Sequence, residues 1–532
     1  MSATSMTSCE TSQSPSLWRP ALVLALVNVM VGASGFIRET VAAYYFGTSA
    51  SADAYSIVLF FLDTVSVLVL TGAAAVLVPH VAGAGTADPS PEQREVVGSF
   101  VSIGVATFTV LAIIVGLSAP LLVRFGLPDL AGSTRDLTAR LLLLTSPACP
   151  LLAAAGLRSA VLQARRDYVS PGLARILLNL TIAAVLVTAT VRLGLNATAL
   201  ALVAAAGVQL GVVIWASHRA RYPLSWTWRP SPAVRALLGA SVPALLAVGF
   251  TNVLLGVGER FFLSHLGQGS IAAVNYAWRV YYILVTGGLA LQVVSFTELS
   301  HQAGHSVRGE AAESLRSSIR AGFFFLLPTS IGVLLLREPL IALIYLRGQF
   351  DRGSLELTTT ALTGYALALF PSYLAGLIVR ALFALNMSSR AVTVAALWTV
   401  AALVLDGVLV RTVGLMAIPF GYGFGAALAS LVGLLVVERR LTAPLLKPLS
   451  RYAIRIICLA TVSSAPLACA TMLWHAMGPN GRIAVGPMAA LTAGALVSGT
   501  LFLTLTGTKG VSEIRRMSVS RGERDGSTEG TL

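Results

Sequence analysis

Charge is what this sequence has least of. Lys, Arg, Asp and Glu supply 11% of its 532 residues, against about 25% in soluble globular domains, and that shortage excludes a water-soluble fold. Cysteine is nearly absent as well. Cys9, Cys149, Cys458 and Cys469 lie far apart, with no CxxC and no Cys/His cluster, so neither a disulfide framework nor a cysteine metal site is encoded. No Walker loop, HExxH, serine elbow or dinucleotide fingerprint in usable context is present, so the chain is not expected to be an enzyme or to drive transport with ATP. The first long apolar run is preceded only by Arg19 and has no recognisable cleavage site, which makes it a retained span.

Apolar residues fill the gap, at 56% of the chain with a mean hydropathy of +0.80. They gather into fourteen runs, at about 20–44, 52–82, 97–123, 138–163, 170–191, 196–217, 235–257, 271–296, 319–345, 358–384, 391–410, 415–437, 453–475 and 484–506. Each is close to the roughly 20 residues a helix needs to cross about 30 Å of hydrocarbon. None shows the ten-residue alternation of a membrane strand, so helices must satisfy the backbone. The expected fold is an all-α polytopic membrane protein of about fourteen transmembrane helices.

The net charge of +14 raises the question of nucleic acid, and the placement of the basic residues answers it. One alternating set of connections holds Arg94, Arg165, Arg166, Arg219, Arg221, Arg229, Arg235, Arg308, Arg316, Arg320, Arg390, Arg439, Arg440, Lys447, Arg451 and Arg455. The opposite set holds only Arg124, Arg135, Arg192, Arg347, Arg352, Arg411 and Arg482. The positive-inside tendency puts the richer set, and both termini, in the cytoplasm. The charge is topological and lipid-facing, not a nucleic-acid surface.

Charges at depth matter more. Arg38, Arg140, Arg158, Arg175, Arg260, Arg279, Arg337 and Arg380 fall in or at the ends of spans, as do Glu39, Asp53, Asp63, Glu259, Glu298, Glu338 and Asp406. Each costs about 2.5–3.5 kcal/mol at a helix centre unless it is paired or wetted, which implies a hydrated interior. A faint repeat at an offset of 222 residues matches Arg38 with Arg260, Gly47 with Gly269, Ala50 with Ala272 and Asp53 with Asn275. Two pseudo-symmetric lobes follow from it. The expected organisation is a cytoplasmic tail at 1–19, a first lobe at 20–217, a cytoplasmic linker at 218–234 and a second lobe at 235–438. A C-terminal helix pair at 439–506 and a basic cytoplasmic tail at 507–532 complete it. The segment 301–320, with His301, His305 and alternating Arg and Glu, suits an amphipathic helix on the membrane surface.

Several ordered patches carry a resemblance. They are GFIRE at 35–39 leading to YFG at 45–47 and ADA at 52–54, then Gly258, Glu259 and Arg260 followed by Gly269 and NYAWR at 275–279. A third is Arg337-Glu-Pro339 through YLRGQF at 345–350, continuing to YALAL at 365–369 and Arg380, with Ser170-Pro171 and Leu178-Asn179 in the fifth span. Over about 20–440 the chain resembles the MurJ/MviN family of lipid II flippases, of the superfamily that includes MATE exporters. The resemblance implies a bacterial inner-membrane transporter that moves a polyprenyl-pyrophosphate-linked sugar from the cytoplasmic to the outer leaflet by alternating access. Its partners would be membrane lipids, the lipid-linked glycan and cell-wall synthesis enzymes. Gly32, Ser66 and Val67 stand where the family usually has arginines, and Asp63 where it has asparagine. Another lipid-linked glycan as cargo therefore stays open, as do a MATE-like exporter of amphipathic drugs and an inactive membrane scaffold.

Arg38 and Arg279 are the first candidates for substrate binding, since a guanidinium in a partly dry cavity makes paired hydrogen bonds to pyrophosphate. Structural ion pairs, Arg38 with Glu39 or Asp53, are the alternative. Arg260 is a further candidate beside its neutralising neighbour Glu259. Asp53 suits either a substrate contact or an acid at a helix N-terminus. The resemblance places Glu259 and Asp406 at positions that could couple transport to sodium or protons. A hydrogen bond between helices would explain them equally. No cofactor is expected beyond such an ion.

Overall fold

The computed structural model describes residues 18–82, 90–220, 226–229, 231–304, 308–477 and 485–519. Cys9, His305 and parts of the expected tails and 218–234 linker lie outside the described residues. The helices are Trp18–Phe46 (α1), Ala50–Ala82 (α2), Pro91–Gly126 (α3), Gly132–Thr145 (α4), Ala148–Ala164 (α5), Val169–Leu193 (α6), Leu195–Arg219 (α7) and Pro232–Ser264 (α8). They continue with Ser270–Gly304 (α9), Arg308–Tyr345 (α10), Arg352–Ala384 (α11), Ser388–Val413 (α12), Ala417–Leu441 (α13), Leu446–Ser463 (α14), Ala465–Met477 (α15) and Val485–Val519 (α16).

All fourteen apolar runs fall on helices. Among the described residues, eight stretches are long and apolar enough to cross a membrane, one of them covering both α12 and α13, and two bent pairs bring the total to ten. The bends correct the sequence reading of two runs. The run 138–163 is α4 and α5, turned by 51° at Pro147, and 453–475 is α14 and α15, turned by 44° just before Pro466. Proline has no N–H for the preceding turn; Pro147 stands just ahead of α5 and Pro466 in the first turn of α15, where a helix tolerates it. The surface helix expected at 301–320 is also corrected: residues up to Gly304 end α9, and residues from Arg308 onward are the first turns of the long α10. There Arg316 pairs with Glu313 at 2.9 Å and donates to the Pro444 carbonyl at 2.8 Å.

Helix starts follow local chemistry. Ser90 accepts from the Gln93 amide ahead of α3, Ser231 from Val234 ahead of α8, and Asp351 from Ser354 ahead of α11, each satisfying an amide the helix leaves without a partner. The Ser354 amide and hydroxyl hold the Asp351 carboxyl below the usual carboxylate range.

Glycine sets how the helices meet. In a membrane, association rests on close packing rather than on expelling water, and small residues permit it. Gly172 of α6 seats Val27 of α1, and Asn179 bonds Ser34 one register further along, so these two helices run parallel. Gly433, Gly425 and Gly421 of α13 face Val394, Trp398 and Asp406 of α12, the descending order of an antiparallel hairpin. Helices α1 to α7 pack mainly among themselves and α9 to α13 among themselves, while α8 lies between α2 and α12. Gly72 of α2 faces Leu245 of α8, and Gly256 of α8 faces the Phe60 ring of α2. The seam between the two groups is therefore closed along α2 and α8. Helices α14 and α16 lean on α10, with Phe324 against Phe502.

Candidate functional site

The site begins on one face of α1. Ser34 and Arg38 are a turn apart and both reach Asn179 of α6: Asn179 Nδ2 donates to Ser34 Oγ at 2.9 Å, and Arg38 donates to Asn179 Oδ1 at 2.9 Å. The other terminal nitrogen of Arg38 donates to Glu39 Oε1 at 2.9 Å and lies 3.6 Å from Asp63 Oδ2 on α2. Arg38 is 1% exposed and Glu39 0%. Burial this complete is tolerable only because each charge meets an opposite one.

Glu39 is the hub. Its Oε2 accepts from Asn275 at 3.1 Å and its Oε1 from Arg279 at 3.4 Å, both on α9 of the second helix group. Gly35 makes the crossing possible, because a Cβ there would press on the Arg279 guanidinium at 3.0 Å. Asp63 extends the network to α6, accepting from Arg175 at 2.8 Å.

Exposure separates the members. The side chains of Asp63, Arg175 and Arg279 are 33%, 27% and 17% exposed, while Arg38 is sealed in. Arg260 lies with its guanidinium 3.6 Å from the centre of the Phe60 ring and donates to the Gly256 carbonyl. Phe60, Asp63 and the exposed Val67 follow one another at helical spacing, so a single stripe of α2 faces this space. Four guanidiniums from α1, α6, α8 and α9 thus stand around α2 with Glu39, Asp63 and Glu259, leaving a formal surplus of one positive charge. Such a set suits a small polyanion such as a pyrophosphate.

Asp53 does different work. Its two oxygens accept from the Gly269 amide at 2.6 Å and the Ala272 amide at 2.9 Å, so a carboxylate on α2 caps the start of α9. The same end is sewn by Tyr276 donating to Gly47 O at 2.9 Å, Gln349 N to Tyr44 O at 2.8 Å, and Thr48 Oγ1 meeting Ser354 Oγ at 2.8 Å. Gly47 sits at a φ of +54°, and a side chain there would collide with the Gln349 carbonyl. The repeat partners Gly47 and Gly269 both take positive φ in the turn after the first helix of each group. The partners Asp53 and Asn275 each bond across to the other group.

Asp406 is buried on α12 and presses on Gly421 of α13, and neither of its oxygens has a hydrogen-bond partner among the described residues. Glu259 on α8 is close enough for its charge to act on Asp406, with Arg260 beside it. The described residues contain no cluster of three metal-ligating side chains of the His, Cys, Asp and Glu type. A single buried carboxylate without a hydrogen-bond partner among the described residues suits a monovalent cation or a proton better than a divalent metal.

Of the residues singled out from sequence, Arg38, Arg279 and Arg260 gather around one stripe of α2 with Glu259 beside Arg260, Asp406 is buried where α12 meets α13, and Asp53 sits apart at the sewn end. The sequence had flagged Glu39, Asp63, Arg175, Asn179 and Asn275 without a shared role. Their signal was opposite charge and amide groups at similar depth in different spans.

Comparison with known proteins follows this geometry. The family model described as lipid II flippase MurJ matches residues 42–485. A probable lipid II flippase MurJ of Rhizobium tropici is 29% identical over 351 residues, 63% of this chain and 64% of its own length. A lipid II flippase MurJ of Burkholderia cenocepacia is 23% identical over 436 residues, covering 80% and 84%. The chain thus spans just under two thirds of the Rhizobium relative and more of the Burkholderia one. Among solved structures, a lipid II flippase MurJ in an inward closed conformation superposes with a TM-score of 0.76 at 17% identity, over 94% of this chain and 99% of that one. An inward-facing MATE multidrug transporter gives 0.65 at 14%, over 79% and 98%. Both likenesses describe the fold.

Proposed function

Because the chain belongs to the lipid II flippase MurJ family, we propose that it moves lipid II, the undecaprenyl-pyrophosphate-linked peptidoglycan precursor, from the cytoplasmic to the outer leaflet of the inner membrane. The observation that supports this most is the cluster of guanidiniums from both helix groups around one stripe of α2. A large polar head cannot cross hydrocarbon unaided. Arginines between two helix groups can take its pyrophosphate while the lipid tail stays in the bilayer, and rocking of the groups then changes the side to which it opens. In this scheme both termini are cytoplasmic, fourteen helices cross, and the end sewn by Asp53 and Gly47 is the outer gate, shut in this conformation. Glu39 holds Arg38 and Arg279 toward each other, so an arriving pyrophosphate competes with a carboxylate for the same donors. Asp406, with Glu259 nearby, takes the cation or proton that resets the cycle. Cell-wall synthesis enzymes are the expected neighbours.

Rescue of bacteria depleted of their own lipid II flippase tests the reading. Growth with normal shape is the expected result, and lysis at full membrane abundance of the protein would overturn it. A second reading, flipping of another polyprenyl-linked glycan, draws on the absence of arginine at Gly32, Ser66 and Val67. Failure of that rescue together with restored export of such a glycan in a flippase-deficient strain would favour it.

A further inference from the structure

Resting on the flippase reading, we propose that Arg175 is a further contact for the substrate's phosphate groups, a guanidinium of the first helix group poised by Asp63 opposite Arg279 of the second. Among the described residues Asp63 is its one partner, through a single nitrogen at 2.8 Å. The other donors of its five-donor fork are left for a ligand. The pair is partly open, at 27% and 33% exposure, and its Asp63 end adjoins the network between the helices. Asp63 lies 3.6 Å from the buried Arg38, and its helix stripe includes Phe60, which carries Arg260 of α8 on its ring.

A role as a staple of the fold explains the pair poorly. An ion pair open to this degree contributes about 0–1 kcal/mol, and α6 is already fixed to α1 by Asn179 with Ser34 and Arg38. The parallel register of α1 and α6, Gly172 beside Val27 and Asn179 beside Ser34, sets Arg175 level with residues 30 to 32 of α1. Gly32 leaves open space there, with nothing within 4 Å of where a Cβ would stand. Arg175 therefore fills with charge, from the neighbouring helix, a level at which α1 offers none. Asp63 is its positioning residue, orienting the fork until a pyrophosphate, with two negative charges, outcompetes one carboxylate.

The test uses the full chain in detergent, undecaprenyl pyrophosphate as the probe, and the depletion strain. Arg175→Gln should weaken binding about tenfold or more, since a hydrogen bond to a charged group is worth roughly 1.5–3 kcal/mol and 1.4 kcal/mol is tenfold. Arg175→Lys should fall between, having charge without the fork. Gly32→Arg added to Arg175→Gln should recover part of the affinity, by returning charge to the same level. Unchanged affinity and unchanged rescue in Arg175→Gln would overturn the proposal. So would a loss that neither Arg175→Lys nor the Gly32→Arg double variant relieves, because that pattern marks a structural role, read independently from the melting temperature. Failure of the unaltered chain to rescue would instead strike the flippase reading, while the binding series still decides on Arg175.

Discussion

Two regions of this molecule bury charge, and they do it in opposite ways. Between α1, α2, α6 and α9, carboxylates and guanidiniums are matched: Glu39 takes Arg38, Arg279 and Asn275, and Asp63 takes Arg175 and Arg38. Against the α13 glycines, Asp406 is as deeply buried as Glu39 and has no hydrogen-bond partner among the described residues. In the first region every buried charge meets an opposite one, and only the partly exposed Arg175 keeps donors to spare. The second is incomplete and gains from any small cation or proton that arrives. In the proposed function the same side-chain chemistry serves recognition in one place and energy coupling in the other.

The sharpest test of this contrast is to make one carboxylate-to-amide change in each region. Glu39→Gln should cost roughly 3–5 kcal/mol, because it removes the nearest carboxylate of the buried Arg38 and leaves only Asp63 at 3.6 Å to balance it, and should appear as a large drop in melting temperature in detergent. Asp406→Asn should move the other way, gaining about 1–3 kcal/mol by removing a buried ionisable group that has no hydrogen-bond partner among the described residues. The unaltered protein should also gain stability on addition of sodium chloride or on acidification, by mass action, and the Asp406→Asn variant should not. Equal signs for the two variants would dissolve the comparison.

Smaller effects come from the sewn end. Asp53→Ala should cost about 1–3 kcal/mol through two unpartnered amides of α9. It should also lower disulfide formation between cysteines placed at Thr48 and Ser354, whose hydroxyl oxygens lie 2.8 Å apart. The smallest effect is a control outside both regions. Asp351→Ala removes the α11 cap and should cost about 1 kcal/mol. Since Ser354 depresses the Asp351 carboxyl, its contribution is present above the unfolded value of about 3.9 and is lost as pH falls through the lower folded one. Asp351→Asn should keep the cap and lose that acid sensitivity in pH-dependent melting.

Hydropathy made the spans legible because lipid leaves a backbone no choice but the helix. Each bent run read as a single span although a proline stands at each bend, because a proline can be absorbed at a helix start or break a span. Only packing decides which, as Pro147 and Pro466 do here. For the site, residue type and depth pointed to Arg38, Arg279 and Arg260. Pairing across helices did not show, since Arg175 and Asp63 are 112 positions apart and meet only through the register set by Gly172 against Val27. Asp53 illustrates the same gap. An acid in the first turn of a helix reads as a partner for its own dipole, but here the helix it completes is α9.

In the proposed cycle that misdirected cap sets a condition on opening. When the two helix groups part at this end, the Asp53 carboxylate and the amides it held at 2.6 and 2.9 Å are all left bare together, and bare polar groups in a dry crevice are prohibitive. Hydration must therefore arrive ahead of the widening, and a plug of grease or a hydrophobic inhibitor wedged there would keep the door shut by drought rather than by obstruction.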